Sequence, residues 1–379
     1  MLLNECPLFI QGGNVLAFKV YAQRDSVDVS KEYTAEEIYA DLPTYSKGDK
    51  VLIIDGDIIA FRCASVCETK YQFTNEQGDI YNAKSKTSFK EYCFENGLDY
   101  DSFTDTPKQI ADPLSYCIKT LNDSIKKVMD FVGATHYEIY IGGSNNFRLS
   151  VPTPIEYKSS RSTNASVRPL LLTPVKEYLI KYKGAKRVKG EEADDVVQWR
   201  MRNLNKNKVR CIAYSIDKDI FQNVDYDLMV YDPSKEDIIV SKKGVGELWE
   251  TKYGIKGSGL KWLITQTLLG DPVDSYTPKQ FFNKRYADKS FYKDFIECKT
   301  EVEVLEKFVE VAKRLVPLNV SYTSFNGQLI ELNRKELFEM YYTLCKMRDN
   351  FCHTLEELFS FYGMDIDSLI YDEEQEVLC

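Results

Sequence analysis

The sequence predicts an α/β fold, a doubly wound and mostly parallel sheet followed by a helical C-terminal region. Three observations carry that expectation. Val51-Leu52-Ile53-Ile54 is a continuous apolar run cut off by Asp55-Gly56, the pattern of a strand buried on both faces of a parallel sheet. Strand-like and helix-like stretches then alternate as far as Tyr231. Acidic residues gather where this alternation puts strand ends, the ligand-binding edge of an open α/β sheet.

Residues 1–49 mix short apolar and polar stretches, present no clear element, and read as an N-terminal extension of unknown role. After the Lys50 strand a helix is expected through Cys67, and residues 68–111 are polar and weakly patterned. Leu114, Cys117, Ile118, Leu121, Ile125, Val128, Met129 and Val132 recur at helical spacing. Tyr137 to Ile141 forms a second strand stopped by Gly142-Gly143. Residues 144–172 hold three prolines and many Ser, Thr and Asn, so they read as a long excursion above the sheet, the kind of loop that usually carries function. A helix at 173–182, a helix opened by Gly190-Glu191-Glu192, and strands at Val209–Ser215 and Leu228–Tyr231 complete a core spanning residues 50–297. Residues 298–379 read as a helical C-terminal region, and the last fifteen carry six acids and no base, as a frayed solvated tail would.

At 379 residues the chain suits one large core with accessory segments or two packed domains. With 44% hydrophobic and 28% charged residues it has no apolar run long enough to span a bilayer, so no membrane role is expected. Met1-Leu2-Leu3-Asn4-Glu5-Cys6 lacks the basic and apolar regions of a secretory signal, which points to the cytoplasm and to ten cysteines held as thiols. There is no CxxC, only His136 and His353, and no Gly-rich GxxxxGK[ST] loop, which argues against a zinc site, His-based catalysis and a P-loop. If the chain is an enzyme, carboxylates carry the chemistry. The net charge of −9 hides a strip from Ser144 to Lys189 with ten Lys/Arg against two Glu. The local field matters more to a partner than the sum.

Four acidic clusters stand out: Asp55 and Asp57; Glu192, Asp194 and Asp195; Asp217 and Asp219; Asp271 and Asp274. Each has a plain structural reading in isolation. Asp-Gly-Asp suits an Asx turn, acids at a helix start complement its dipole, Ser215-Ile216-Asp217 suits an N-cap, and Gly270-Asp271-Pro272 suits a turn. Those readings do not predict all four clusters, in this order, at strand exits of one core. Packed carboxylates repel unless cations join them, and hard cations such as Mg²⁺ or Mn²⁺ suit all-oxygen sites. Two such ions roughly 3.5–4 Å apart serve phosphodiester hydrolysis.

The clusters resemble the motifs of the 5′-nucleases, the family of flap endonucleases, the 5′-nuclease domain of DNA polymerase I, and phage 5′→3′ exonucleases. Ile54-Asp55-Gly56-Asp57-Ile58-Ile59-Ala60-Phe61-Arg62 is similar to the first motif; Gly190-Glu191-Glu192-Ala193-Asp194-Asp195 to G-x-E-A-D-D; Ser215 to Asp219 to [ST]-x-D-K-D; Gly270 to Ser275 to G-D-x-x-D-[NS]. The resemblance covers residues 50–280 and, with no polymerase domain in the sequence, points to the stand-alone phage-type branch. It implies a PIN-like core with a helical arch at 144–172, two Mg²⁺ or Mn²⁺ ions, and DNA with 5′ ends, flaps or nicks as partner, with RNA–DNA hybrid as a further candidate. A role in replication or recombination, in the host cytoplasm if the chain is phage-encoded, comes from the same resemblance. The implied catalytic ligands are Asp55, Glu192, Asp194, Asp217, Asp219 and Asp271, with Asp57, Asp195 and Asp274 as outer or supporting carboxylates.

Phe61 falls where the family stacks an aromatic on the scissile base, with core packing as its other reading, and Arg62 adjoins it. Asn146-Phe147-Arg148 and Tyr157-Lys158-Ser159-Ser160-Arg161 resemble the arch motifs, so Arg148, Lys158 and Arg161 are implied phosphate contacts. Two departures stand out. Gly142 or Gly143 occupies the place of a frequent metal-binding Asp, whose part Asp57 could take. The duplex clamp after Asp274 is missing, and Lys279, Lys284, Arg285, Lys289 and Lys293 are the substitute phosphate attractors. A PIN-like endoribonuclease and a non-catalytic DNA-binding scaffold are the alternative readings.

Overall fold

Seven strands make the main sheet in the spatial order β1-β7-β6-β2-β8-β9-β10. They are β1 (Tyr33–Thr34), β2 (Lys50–Asp55), β6 (His136–Gly142), β7 (Lys186–Lys189), β8 (Arg210–Tyr214), β9 (Leu228–Asp232) and β10 (Asp237–Ser241). All pairings are parallel except the edge strand β10, which runs antiparallel to β9. This is the doubly wound, mostly parallel sheet that the sequence predicts. The computed structural model describes residues 27–160 and 168–371.

Strand β2 is the hub because its apolar run serves both faces. Leu52 and Ile54 pack with α2 (Gly56–Val66), α4 (Leu114–Val132) and α5 (Leu172–Lys183). Val51 and Ile53 pack on the opposite face with α1 (Ala35–Ala40) and α6 (Ala193–Lys206). From β2 the chain runs outward through β6 to β7, then returns to β8 on the other side of β2. Strand order therefore reverses between β2 and β8, the place where open α/β sheets leave a crevice beyond their carboxyl ends.

Three regions differ from the sequence reading. Before Lys50 the sequence offers no element, yet β1 pairs with β7 and α1 buries Ile38. A two-residue strand leaves no periodicity to see; the available signal is the capping box of Thr34 and Glu37. Residues 68–111, expected to be weakly patterned, form an antiparallel sheet of β3 (Glu68–Thr74), β4 (Ile80–Ala83) and β5 (Thr104–Ala111) with α3 (Lys86–Glu95). Its small core rests on Phe73, Phe89 and Cys93, with Tyr81 and Phe103 against them, so spaced aromatics replace the apolar runs that mark a large core. The acidic tail starts later than expected: Ile366 and Leu369 are buried, and Asp367 Oδ1 pairs with Lys335 Nζ at 2.7 Å.

After the hairpin β11 (Leu248–Thr251) and β12 (Gly254–Gly257), the C-terminal part is mostly helical, as expected. It comprises α7 (Gly259–Leu269), α8 (Asp288–Phe295), α9 (Glu301–Leu315), α10 (Arg334–Cys345) and α11 (Leu355–Phe361), with one hairpin of β13 (Asn319–Thr323) and β14 (Leu329–Asn333). These elements share one apolar core centred on Leu263, Phe308, Phe338 and Leu358. In the long excursion, the described limbs hold a 3-10 turn at Phe147–Ser150; the expected arch centre, with Arg161, lies outside the described residues. Among the described residues no helix is long and apolar enough to cross a membrane, and the eight described cysteines are free thiols.

Candidate metal centre

Asp55 ends β2 and caps α2, its Oδ1 accepting from the N–H of Asp57 at 2.9 Å and of Ile58 at 3.2 Å. Asp217 lies just past the end of neighbouring β8 and caps a one-turn 3-10 helix, accepting from the Asp219 N–H at 2.9 Å. Both therefore stand at the reversal point of the sheet. Glu192, Asp194 and Asp195 open α6 after β7. Asp271 and Asp274 depart from the expected plan: they sit in the turn after helix α7, not at a strand exit. That turn closes through paired backbone hydrogen bonds between Asp271 and Tyr276.

Two groups of carboxylates bring one oxygen per residue within 4.8 Å of one another: Glu192 with Asp194 and Asp195, and Asp219 with Asp271 and Asp274. Tyr157 joins the groups, its hydroxyl lying 3.0 Å from Asp274 Oδ2 and 3.3 Å from Glu192 Oε2. Lys158 Nζ ion-pairs with Glu192 and lies 3.8 Å from Asp274 Oδ2. Its backbone is held at φ 60° by donation to the Asp274 carbonyl at 2.8 Å, a conformation that costs a non-glycine residue about 1–2 kcal/mol. Lys218 Nζ sits 2.7 Å from Asp271 Oδ2. These two ammonium groups supply part of the positive charge that a cluster of buried acids requires.

Proton affinities report how much charge remains uncompensated. Burial, then the Asp57 and Asp217 carboxylates, pushes Asp55 up to about 7. Burial also raises Asp194, with Glu192 and Asp195 adding to it, and Asp219, with Asp217 adding to it. Asp217 rises for the same first reason. Such a donor set, all oxygen and short of positive charge, fits a hard divalent cation.

Asp195 behaves differently. Burial alone would raise it, but the Arg148 guanidinium holds it below the usual carboxylate range. Arg148 NH1 and NH2 donate to its two oxygens at 2.6 and 2.8 Å, and the N–H groups of Glu192 and Arg348 donate at 3.0 and 2.9 Å. Its oxygens are engaged, which makes Asp195 a supporting carboxylate. The phosphate-contact expectation for Arg148 is corrected by the same geometry: the residue is 1% exposed and its guanidinium is turned inward.

The missing Asp finds an explanation at Gly142. A Cβ there would lie 2.8 Å from Asp57 Oδ2, and one at Gly143 would lie 2.2 Å from the Val188 carbonyl. The Asp57 carboxylate occupies the space, accepting from the Gly142 N–H at 2.8 Å, with Lys176 Nζ 2.5 Å from its other oxygen. The basic strip is likewise less free than its sequence implies, since Arg148, Lys158, Lys176 and Lys186 all face carboxylates.

Phe61 is 38% exposed on α2, which sets aside its core-packing reading. Arg62 is tied to the β9–β10 turn, donating to the Pro233 carbonyl at 2.9 Å. Lys284, Arg285, Lys289 and Lys293 are exposed, and among the described residues they form no ion pair. Sequence reasoning gave no role to two residues of its own motifs, Asn146, which donates to Glu192 Oε1 at 2.8 Å, and Lys218, and it missed Lys176 and Gln266. The signal for Gln266 was an amide set between the apolar pairs Leu263-Ile264 and Leu268-Leu269.

The raised carboxyls imply a pH dependence. A carboxyl raised in the folded chain stays protonated while the unfolded chain ionises, so each one costs stability as pH rises from about 4 towards 7. Asp55 and Glu191, the latter also pushed up to about 7 by burial and Asp195, act in this window. Asp195 acts oppositely, only below its ordinary value of 3.8. In chelator, the melting temperature should fall from about pH 5 to about pH 8, and divalent cations should restore it most at the upper end. Thermal melts across that range check this; a flat series in chelator contradicts it.

No known family profile matches the chain. A curated 5′-3′ exonuclease from Buchnera aphidicola subsp. Acyrthosiphon pisum (strain APS) is 31% identical over 122 residues, 32% of this chain and 40% of that relative's length. Among solved structures, the bacteriophage T5 D15 protein co-crystallised with metal ions aligns at a TM-score of 0.41 and 12% identity, over 84% of this chain and 95% of that one. T5 D15 flap endonuclease in a complex with DNA and metal ions aligns at 0.44 and 12% identity, over 85% and 96%. Over 32% of its length, the chain is thus similar to a 5′-3′ exonuclease, in line with the resemblance carried by its acidic motifs.

Proposed function

We propose that this chain is a metal-dependent nuclease that hydrolyses DNA phosphodiester bonds at or near 5′ ends, as a 5′→3′ exonuclease or flap endonuclease. The observation that carries the reading is the set of carboxyls around Asp217, which stands with Asp55 at the reversal point of the sheet and whose charge adds to the raised proton affinity of Asp55, Asp194 and Asp219. The similarity to a 5′-3′ exonuclease supports the reaction class. Asp55, Glu192, Asp194, Asp217, Asp219 and Asp271 would hold two Mg²⁺ or Mn²⁺ ions, with Asp57 and Asp274 alongside. When bound, the ions supply Lewis-acid stabilisation of the phosphate and lower the pKa of water.

The chain's own residues do the remaining work. Tyr157 and Lys158 hold Glu192 and Asp274 at a fixed separation. Lys158 and Lys218 lower the repulsion within the cluster and provide donors for phosphate oxygens. The exposed ring of Phe61 suits stacking on an unpaired base, a sequence-tolerant contact. Lys284, Arg285, Lys289 and Lys293 suit duplex phosphates.

The test is a digestion series on one flapped duplex labelled at either end, with Mg²⁺, Mn²⁺ and chelator. Short products released first from the 5′ end, only with metal, are expected. Full activity in excess chelator defeats the mechanism, and release from the 3′ end defeats the polarity. The same series on an RNA–DNA hybrid separates primer removal from DNA breakdown. Phe61→Ala should melt like the parent, because an exposed substitution shifts stability by about 0.5 kcal/mol or less. It should slow cleavage by a factor consistent with one lost stack of roughly 1–3 kcal/mol. Earlier melting with no selective rate loss would return Phe61 to a packing role.

A further inference from the structure

Asp219 is held by a buried chain of amides that begins outside the acidic motifs. Gln266 on α7, 2% exposed, donates from Nε2 to Asp219 Oδ1 at 2.5 Å. Its Oε1 accepts from Nε2 of Gln222, 1% exposed, at 2.5 Å. The Gln222 amide is fixed in turn by backbone: Nε2 donates to the Cys345 carbonyl at 2.8 Å, and Oε1 accepts from the Met347 N–H at 3.2 Å. The order of donors has only one consistent direction. Met347 N–H can only donate, so Gln222 must turn its oxygen to it and its NH₂ to Cys345 and Gln266; Gln266 must then turn its own NH₂ to Asp219.

The segment at the C-terminal end of α10 also braces the other acidic group. Arg148 donates to the Leu344 and Lys346 carbonyls, both at 2.9 Å, and the Arg348 N–H donates to Asp195 Oδ1 at 2.9 Å. One segment, residues 344–348 from the last turn of α10 onward, thus ties to Asp195 on one side and through two glutamines to Asp219 on the other.

We propose that Gln266 and Gln222 are positioning residues of the metal centre, orienting Asp219 from this segment. The inference rests on the reading of the acidic cluster as a cation site. Gln266 sets which oxygen of Asp219 faces a donor, and Gln222 acts only through Gln266. Partners that orient a ligand typically govern metal affinity by about 10–100-fold.

The test measures Mn²⁺ binding by electron paramagnetic resonance on the full chain, beside melting in chelator. Gln266→Met, which keeps size and removes the donor, should weaken Mn²⁺ binding by about 10–100-fold. Gln222→Met should weaken it less, and the double variant should match Gln266→Met, because the second residue has nothing left to orient. Mn²⁺ affinity within twofold of the parent in Gln266→Met, or losses that multiply in the double variant, overturns the proposal. If Gln266→Met does not fold, Gln222→Met decides alone: weaker Mn²⁺ binding supports the relay and unchanged binding ends it. A parent chain that binds Mn²⁺ but cuts no DNA defeats the nuclease reading and leaves the relay standing; variants that bind as the parent does, beside a parent that cuts, do the reverse.

Discussion

Asp271→Asn should stop strand cleavage while leaving DNA affinity at or above that of the parent chain. Asp271 is 2% exposed in the turn after α7, with Oδ1 accepting from the Val273 N–H at 2.9 Å and Oδ2 2.7 Å from Lys218 Nζ. Asparagine keeps the shape and the Val273 bond. It replaces the oxygen that faces Lys218 by a donor, so it removes one charge from the group shared with Asp219 and Asp274. One cation should then bind poorly. A loss of about 4 kcal/mol of transition-state stabilisation corresponds to roughly 10³-fold in rate. Affinity survives because a negative charge near phosphate has gone and Lys218 is freed. Single-turnover cleavage beside a binding titration measures both, and normal cutting by Asp271→Asn would show the carboxylate assignment to be wrong.

The parts of this site that could be read from sequence are those held in short local motifs. Asp55, Glu192 and Asp217 each stand next to the strand or helix start that positions them, so the spacing of residues reports the geometry. The fold was legible for a related reason: Val51 to Ile54 face two different cores at once, which leaves an unbroken apolar run. Asp271 and Asp274 could be recognised but not placed, because the turn carrying them follows a helix whose direction is set by packing with the C-terminal core. Lys176 against Asp57, and Gln222 against Cys345, join residues more than a hundred positions apart. No local pattern records such pairings. The basic strip misled because charge along the chain says nothing about which way each side chain turns, and Arg148 turns inward.

That residue gives the largest expected effect on stability. Every N–H of the Arg148 guanidinium has an acceptor in reach: Leu344 O and Lys346 O at 2.9 Å, the Asp195 oxygens at 2.6 and 2.8 Å, and Glu192 Oε2 at 3.5 Å. The pair is wholly buried, with Asp195 at 0% and Arg148 at 1% exposure. Arg148→Ala would leave the Asp195 carboxylate without its countercharge, in a setting where burial already penalises the ionised form. Breaking a buried pair from one side costs about 3–5 kcal/mol, enough to lower the melting temperature by roughly 10 °C. Arg148→Lys should fall between, because an ammonium keeps the charge but cannot reproduce the two-pronged contact. The double variant Arg148→Met with Asp195→Leu should recover only part of the loss, since it removes both buried charges together but leaves the Glu192 and Arg348 N–H groups without their acceptor. A phosphate contact predicts a different outcome: Arg148→Ala would melt like the parent, and the salt dependence of DNA binding would flatten by about one unit. Melting curves of the four chains, with a salt titration of those that fold, decide between the two, and a parent-like melt for Arg148→Ala would return Arg148 to the surface strip.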